Sequence, residues 1–199
     1  MKARGRGLAA RRQRGVTLIE LMIVVAVLAV LLGLAVPNLR EFFIVNRLAS
    51  ATNDLAAALS TARSEAIKRG TNVAMISTSA TTGDWGGGWN MCGDTNNNRA
   101  CNAGETVIRT ALPVSDTIQV RASAGLAGTI AFNSSGRLVG PDPAVPISGS
   151  IVICYLNVSP MKARAILVNP AGRIRVAVDA NNNGKPEDDS GSDISTCTP

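Results

Sequence analysis

The feature that most constrains this chain is a charge-free apolar run at residues 21–36, LMIVVAVLAVLLGLAV, set directly behind an acid, Glu20, and a basic leader. As a helix the run reaches about 24 Å at 1.5 Å per residue. A hydrocarbon core asks for about 20 residues, so the run gains membrane length only when counted back through 16–19, across Glu20. It is apolar all round and therefore needs lipid or copies of itself, since a single partner face would leave the rest uncovered. Residues 1–15 hold Lys2, Arg4, Arg6, Arg11, Arg12 and Arg14 and no acid. Positive charge ahead of an apolar helix keeps the leader cytoplasmic and sends the rest of the chain across the membrane. A secretory signal would end in small residues, but Val36-Pro37-Asn38 comes next. A carboxylate inside a membrane costs on the order of 3 kcal/mol unless paired, so Glu20 calls for a partner.

Charge and composition then exclude whole classes of function. The formal net charge is +6, but six of the 20 basic residues lie in the leader, and the other 14 balance the 14 acids. Bulk charge therefore gives no anion-binding function; only local clustering can. Histidine is absent, which rules out a Ser-His-Asp triad, a Cys-His pair and any His-containing zinc site. Aromatics are only 3%, too few for a base-stacking platform. There is no P-loop and no nucleophile elbow, and Ser134-Ser135-Gly136 reads as a hairpin turn. The reading is a protein that is not an enzyme.

Beyond the run, Ile44, Leu48, Ala51, Leu55, Ala58, Leu59, Ala62 and Ala66 recur at three- and four-residue spacing. Lys68-Arg69-Gly70 closes the pattern as a C-terminal signal. One helix from about residue 16 to 69, bent near Pro37, is predicted. The remainder reads as strands at 72–77, 106–111, 117–122, 129–132, 150–156, 163–168 and 173–178, punctuated by Gly, Pro, Asn and Ser. A long helix followed by strands predicts an α+β fold, with the amphipathic half of the helix lying on an antiparallel sheet.

Arg14-Gly15-Val16-Thr17-Leu18-Ile19-Glu20 ahead of the apolar run resembles the signal of type IV pilins and type II secretion pseudopilins. The resemblance implies cleavage between Gly15 and Val16 by a prepilin peptidase, and N-methylation of Val16. Val16 stands where the family most often has Phe. It also implies that Glu20 faces the N-terminal amine of a neighbouring subunit, which suits the anion preference of a helix N-terminus. The expected organisation is a cleaved leader at 1–15, a transmembrane and assembly helix at 16–36, and a periplasmic or extracellular head at 37–199. This implies single-pass placement in the inner membrane, with the cell surface or pilus as destination after assembly.

Arg63 to Gly70, Gly83-Asp84-Trp85, Gly88-Trp89, the stretch from Asp94 to Arg109, and Gly172-Arg173-Ile174-Arg175-Val176 are similar to the GspH/FimT group of minor pilins and pseudopilins. The resemblance implies a low-copy subunit that primes or caps filament assembly, with other pilin or pseudopilin subunits as partners.

Export places the four cysteines in an oxidising compartment. Of the three pairings they allow, Cys92–Cys101 and Cys154–Cys197 are expected. The first closes a local loop and the second staples the C-terminal tail to a strand, stabilising by roughly 3 and 4 kcal/mol. The spacings lack the close pair of a Cys₄ metal site. Two loops have a calcium-like pattern. Asp94, Asn96, Asn98 and Glu105 fall at positions one, three, five and twelve of an EF-hand-like loop, with Arg99 at the glycine position. Asp179, Asn181 and Asn183 repeat the start, followed by Gly184, but Ser190 stands twelfth. Asn, Asp and Gly runs also simply form turns, and no cofactor is the expectation, with Ca²⁺ as the alternative.

The last two strands carry a basic signal. A four-residue turn at 169–172 would set residue 168 opposite 173 and 166 opposite 175. Ala165, Leu167, Ile174, Val176 and Val178 would then share an apolar face, and Arg164, Arg173 and Arg175 the other. Three guanidiniums on one face suit phosphate. Gly-Arg-Ile-Arg resembles the Gly-Arg-x-Arg motif of FimT-like pilins, which implies DNA as a partner in DNA uptake. Pairing of these arginines with Asp179, Glu187, Asp188 and Asp189 is the competing expectation.

Overall fold

The computed structural model describes residues 15–158, 161–183, 185–188 and 190–197. The leader up to residue 14 lies outside the described residues. The chain divides into two compact units, Met1–Phe42 and Phe43–Pro199. Helix α1, Leu18–Arg69, contributes to both.

In the first unit α1 begins at a cap that the side chains build. Thr17 Oγ1 accepts the Glu20 N–H at 3.3 Å, and Thr17 O accepts the Leu21 N–H at 3.1 Å. Thr-x-x-Glu is the capping-box spacing, and the Thr17 hydroxyl that follows Gly15 caps the helix start. The large apolar side chains from Leu18 to Leu32 are exposed, Leu18 at 78% and Val30 at 65%. Among the described residues no helix is long and apolar enough to cross a membrane.

In the second unit the helical stripe meets the strands. Ile44, Leu48, Leu55, Ala58, Leu59, Ala62 and Ala66 are buried and Ala51 is half-buried. Thr52 joins them without orphaning its hydroxyl, which donates to Leu48 O at 2.7 Å. Ala58, Ala62 and Ala66 are fully buried at this contact. Gly70, in the left-handed region at φ 67°, ends α1 by donating to Ala66 O at 3.0 Å.

The strands are β1 Asn72–Ser77, β2 Trp89–Asp94, β3 Val107–Ala111, β4 Ile118–Ala122, β5 Thr129–Phe132, β6 Leu138–Val139, β7 Gly149–Tyr155, β8 Lys162–Val168 and β9 Ile174–Val176. They form two antiparallel sheets, ordered β3-β2-β1-β5-β6 and β4-β7-β8-β9. One core joins the helix stripe to Val73, Met75, Met91, Ile130 and Phe132 of the first sheet and to Ile151, Ile153, Ile166 and Val168 of the second. Trp85 is almost fully buried in it, and its indole N–H donates to Leu126 O at 3.1 Å. A smaller cluster, Val152, Cys154, Ala165, Leu167 and Ala177, lies on the opposite face of the second sheet, covered by Ile194 and Cys197 of the tail.

Strand β2 sits between β1 and β3 and was not expected. Its sequence, WNMCGD, has no β-branched residue and only Trp89 as a strand former, so strand propensity is weak there. It is held by register with two neighbours and by burial of Trp89, Met91 and Cys92. Strand β9 covers only 174–176 of the expected 173–178; at its start, residue 173 belongs to the turn.

Candidate functional site

The site of most interest is where two turns and the helix converge. Asn133-Ser-Ser-Gly-Arg137 and Asn169-Pro-Ala-Gly-Arg173 are built alike. In each, the Asn side-chain oxygen accepts the N–H of the Arg four residues on, at 2.9 Å. The Asn carbonyl accepts the glycine N–H, at 2.8 and 2.9 Å. Gly136 and Gly172 take φ 74° and 72°, where a Cβ is disfavoured. From α1, Arg63 reaches both turns: Nε donates to Gly136 O at 2.9 Å, and Nη2 lies 3.5 Å from Ala171 O. Arg63 thus clasps the helix to both sheets through their turns.

This geometry corrects the expected arginine face. The turn occupies residues 169–173, since Asn169 N donates to Arg173 O at 3.1 Å, and it is one residue longer than four. The register becomes Val168 opposite Ile174, Leu167 opposite Arg175 and Ile166 opposite Val176. A one-residue slip moves side chains to the other face. Ile166 and Val168 therefore enter the main core, and Ala165 and Leu167 face the tail. Arg175 shares the tail-covered face with Leu167. Arg164 pairs with Ile153, on the helix side of the sheet. Arg164, Arg173 and Arg175 do not form one patch.

Arg173 instead meets a residue of the helix. Arg63, Arg173, Ser60, Ser64, Ile67 and Ile174 line a surface pocket of about 240 Å³ with no acidic residue in its walls. The Ser60 and Ser64 hydroxyls donate to Ala56 O at 2.8 Å and Thr61 O at 2.9 Å, so their protons stay with the helix. Two guanidiniums without a carboxylate make the pocket electropositive. Arg63 was absent from the expected site, although its place on the flank of the helical stripe put it within reach of the sheet.

Of the acids near the last strands, Glu187 and Asp188 are engaged by backbone and serine groups. Glu187, buried at 8% exposure, accepts the N–H groups of Ala180 at 2.7 Å and Asn181 at 3.2 Å. Asp188 accepts from Ser190 and Ser192, and these bonds, the Ser190 hydroxyl first, hold its carboxyl below the usual range. Asp189 lies outside the described residues.

In the two calcium-like loops the Asp and Asn side chains bond the backbone. Asp94, buried, accepts the N–H of Asn98 and of Arg99, both at 2.9 Å. Asn96 and Asn98 each accept a backbone N–H two residues on. Glu105 uses one oxygen for Thr95 N and the other for Asn102 N, each at 2.9 Å. These bonds, Asn102 first, lower its pKa. Arg99 takes the left-handed φ of 60° that a glycine would adopt at that position. In the second loop Asp179 and Asn181 accept the Asn183 N–H at 3.0 Å. The amide nitrogens of Asn181 and Asn183 face Asp193, at 3.2 and 2.5 Å, a partner the spacing did not suggest. Among the described residues no group of three or more acids or cysteines converges on a metal position. Cys92 is bonded to Cys101 across 5.8 Å between Cα atoms, which closes the first loop, and Cys154 to Cys197 across 5.8 Å, which ties the tail to β7.

Comparison with known proteins places this architecture. Residues 51–172 match the family described as Type II transport protein GspH, and residues 10–36 match the prokaryotic N-terminal methylation motif. The pilin-like protein PilA1 of Thermus thermophilus is 33% identical over 168 residues, covering 82% of this chain and 98% of its own. In fold, the chain is similar to two crystal structures of the type IV minor pilin FimU of Pseudomonas aeruginosa. One gives a TM-score of 0.52 at 20% identity over 75% of this chain and 99% of FimU. The other gives 0.55 at 21% over 78% and 98%. The long helix on antiparallel sheets, the methylation motif ahead of it and the match across the head agree: the chain belongs to the GspH/FimT family of type IV pilin-like proteins.

Proposed function

We propose that the protein is a structural, non-catalytic minor subunit that primes or caps assembly of a type IV pilus or a type II secretion pseudopilus. The observation that carries this reading is the start of α1. A capped helix N-terminus stands two residues beyond Gly15, with Glu20 in its first turn and exposed apolar side chains behind it. In this reading a prepilin peptidase cuts after Gly15 and the Val16 amine is methylated. Residues 16–36 hold the protein in the inner membrane as a single pass until it enters the filament, and the head stays on the periplasmic side. Glu20 pairs with the N-terminal amine of a neighbouring subunit, which removes the cost of a buried carboxylate. Glu20→Ala is the test. Membrane association is expected to persist while incorporation into sheared filaments falls. Normal incorporation by immunoblot would refute the pairing.

A second reading, DNA held at the tip of a pilus for uptake, is favoured by one observation, the acid-free pocket shared by Arg63 and Arg173. It differs from the expected patch in drawing on Arg63 in place of Arg164 and Arg175.

A further inference from the structure

A separate cavity of about 760 Å³ opens in the head where loop 97–99, β6 and segment 140–146 meet. Its polar lining is Arg99, Arg137, Asn72, Asn97, Asn98 and Asn133, with no acidic residue. The turn chemistry decides which end of two amides is left over. Asn98 Oδ1 accepts the Ala100 N–H at 2.9 Å, and Asn133 Oδ1 accepts those of Ser135 and Arg137 at 3.0 and 2.9 Å. Their carbonyl ends are held by the backbone, so the Nδ2 donors remain for a ligand.

The two arginines differ in how they are held. Arg99 Nη2 donates to Thr129 O at 3.0 Å, but its buried Nε has no partner among the described residues. Burial lowers the Arg99 pKa, with Asp94 opposing, and the guanidinium stays charged. Asp94, whose oxygens also accept two loop N–H groups, offsets part of the Arg99 charge, so Arg137 carries the larger unbalanced charge at the cavity. Arg137 is exposed and makes no ion pair among the described residues. Two guanidiniums and amide donors with no carboxylate in the lining favour an acceptor-rich anion. Pro143 and Val145 in the lining add an apolar surface for the body of a ligand.

We propose that this cavity binds an oxyanion, a carboxylate or phosphate group on a compact ligand, with Arg99 and Arg137 as counter-charges and the Asn98 and Asn133 amides as further donors. The site is distinct from the Arg63–Arg173 pocket and stands independently of both readings above.

The test uses the full chain, ¹⁵N-labelled, in neutral detergent micelles, titrated with inorganic phosphate and separately with glucuronate at fixed ionic strength. Saturable shifts of the Asn98 and Asn133 side-chain amide signals are expected. Arg137→Gln is expected to weaken saturation at least tenfold. Lys68→Gln, which removes the same charge at the exposed end of α1, is expected to leave it unchanged. Unaltered signals elsewhere in the Arg137→Gln spectrum check that the variant folds. Saturation by phosphate alone would support recognition of the oxyanion itself, and tighter saturation by glucuronate would support a contribution from the apolar wall. Shifts that do not saturate with either probe, or equal weakening in the two variants, would overturn the proposal.

Discussion

Gly172 packs against Gly136 so closely that a Cβ at residue 172 would lie 1.9 Å from the Gly136 carbonyl oxygen. That oxygen is the one Arg63 holds. The glycine of the Gly-Arg-Ile-Arg segment therefore has a structural duty, joining the turn of one sheet to the turn of the other beneath the helix.

Gly172→Ala is expected to destabilise the head by about 3 kcal/mol, through the clash and the left-handed backbone together. For a chain of this size the melting temperature should fall by roughly 6–12 °C. Gly191→Ala separates the two causes. Gly191 has φ 80° but nothing within 4 Å of its would-be Cβ, so only the backbone cost of about 1–2 kcal/mol applies. Equal shifts in the two variants would contradict the packing account.

The carboxylates that order the loops predict an acid dependence. Glu105 has its pKa lowered by the Asn102 and Thr95 bonds, and Asp188 by Ser190 and Ser192. A lowered folded value means that the bonds contribute fully above the unfolded value, about 4 for these groups. That contribution is lost as pH falls through the folded value. Thermal melts from pH 6 to pH 3 should decline on the acid side, and Glu105→Gln should lower stability at pH 6 and flatten the decline. An unchanged acid slope in the variant would remove Glu105 from the account.

The first calcium-like loop is expected to hold its shape without a cation. Glu105, whose carboxylate would complete such a site, has both oxygens on loop N–H groups, and Cys92–Cys101 closes the loop covalently. Melting in EDTA and in millimolar Ca²⁺ should coincide. A saturable rise in melting temperature with Ca²⁺, abolished by Glu105→Gln, would contradict this.

Much of the fold was legible because its signals are local. The helical stripe of Ile44 to Ala66 marks the packing face by period alone, and β1, β5 and β7 carry Val, Ile or Thr between turn residues. Strand β2 was not legible, because Asn90, Gly93 and Asp94 look like loop residues until neighbours on both sides bury them. The arginine face failed for a different reason. Whether a turn holds four or five residues depends on the Asn169 side chain bonding the Arg173 N–H, and parity reverses with that one residue. Arg63 belongs to the site through a contact 73 residues away in sequence, which no spacing rule reports.

The DNA reading makes its own prediction. Two phosphate contacts at Arg63 and Arg173 would give weak, sequence-independent binding, with Kd about 10⁻⁴ to 10⁻⁶ M and a log–log salt slope near −2. Arg173→Gln should abolish it without altering the melting temperature, since Arg173 is exposed and its backbone N–H, not its side chain, holds the turn. Binding by fluorescence anisotropy that persists in Arg173→Gln would exclude this pocket.

The most direct test of the central claim, that this is a prepilin-type subunit entering a filament by its processed helix, is mass spectrometry of the mature N-terminus in the native host. The account predicts a chain beginning at Val16 and carrying one added methyl group on its amine. A mature chain beginning at or beyond Pro37 would contradict it, because the capped helix start and Glu20 would then be gone from the working protein.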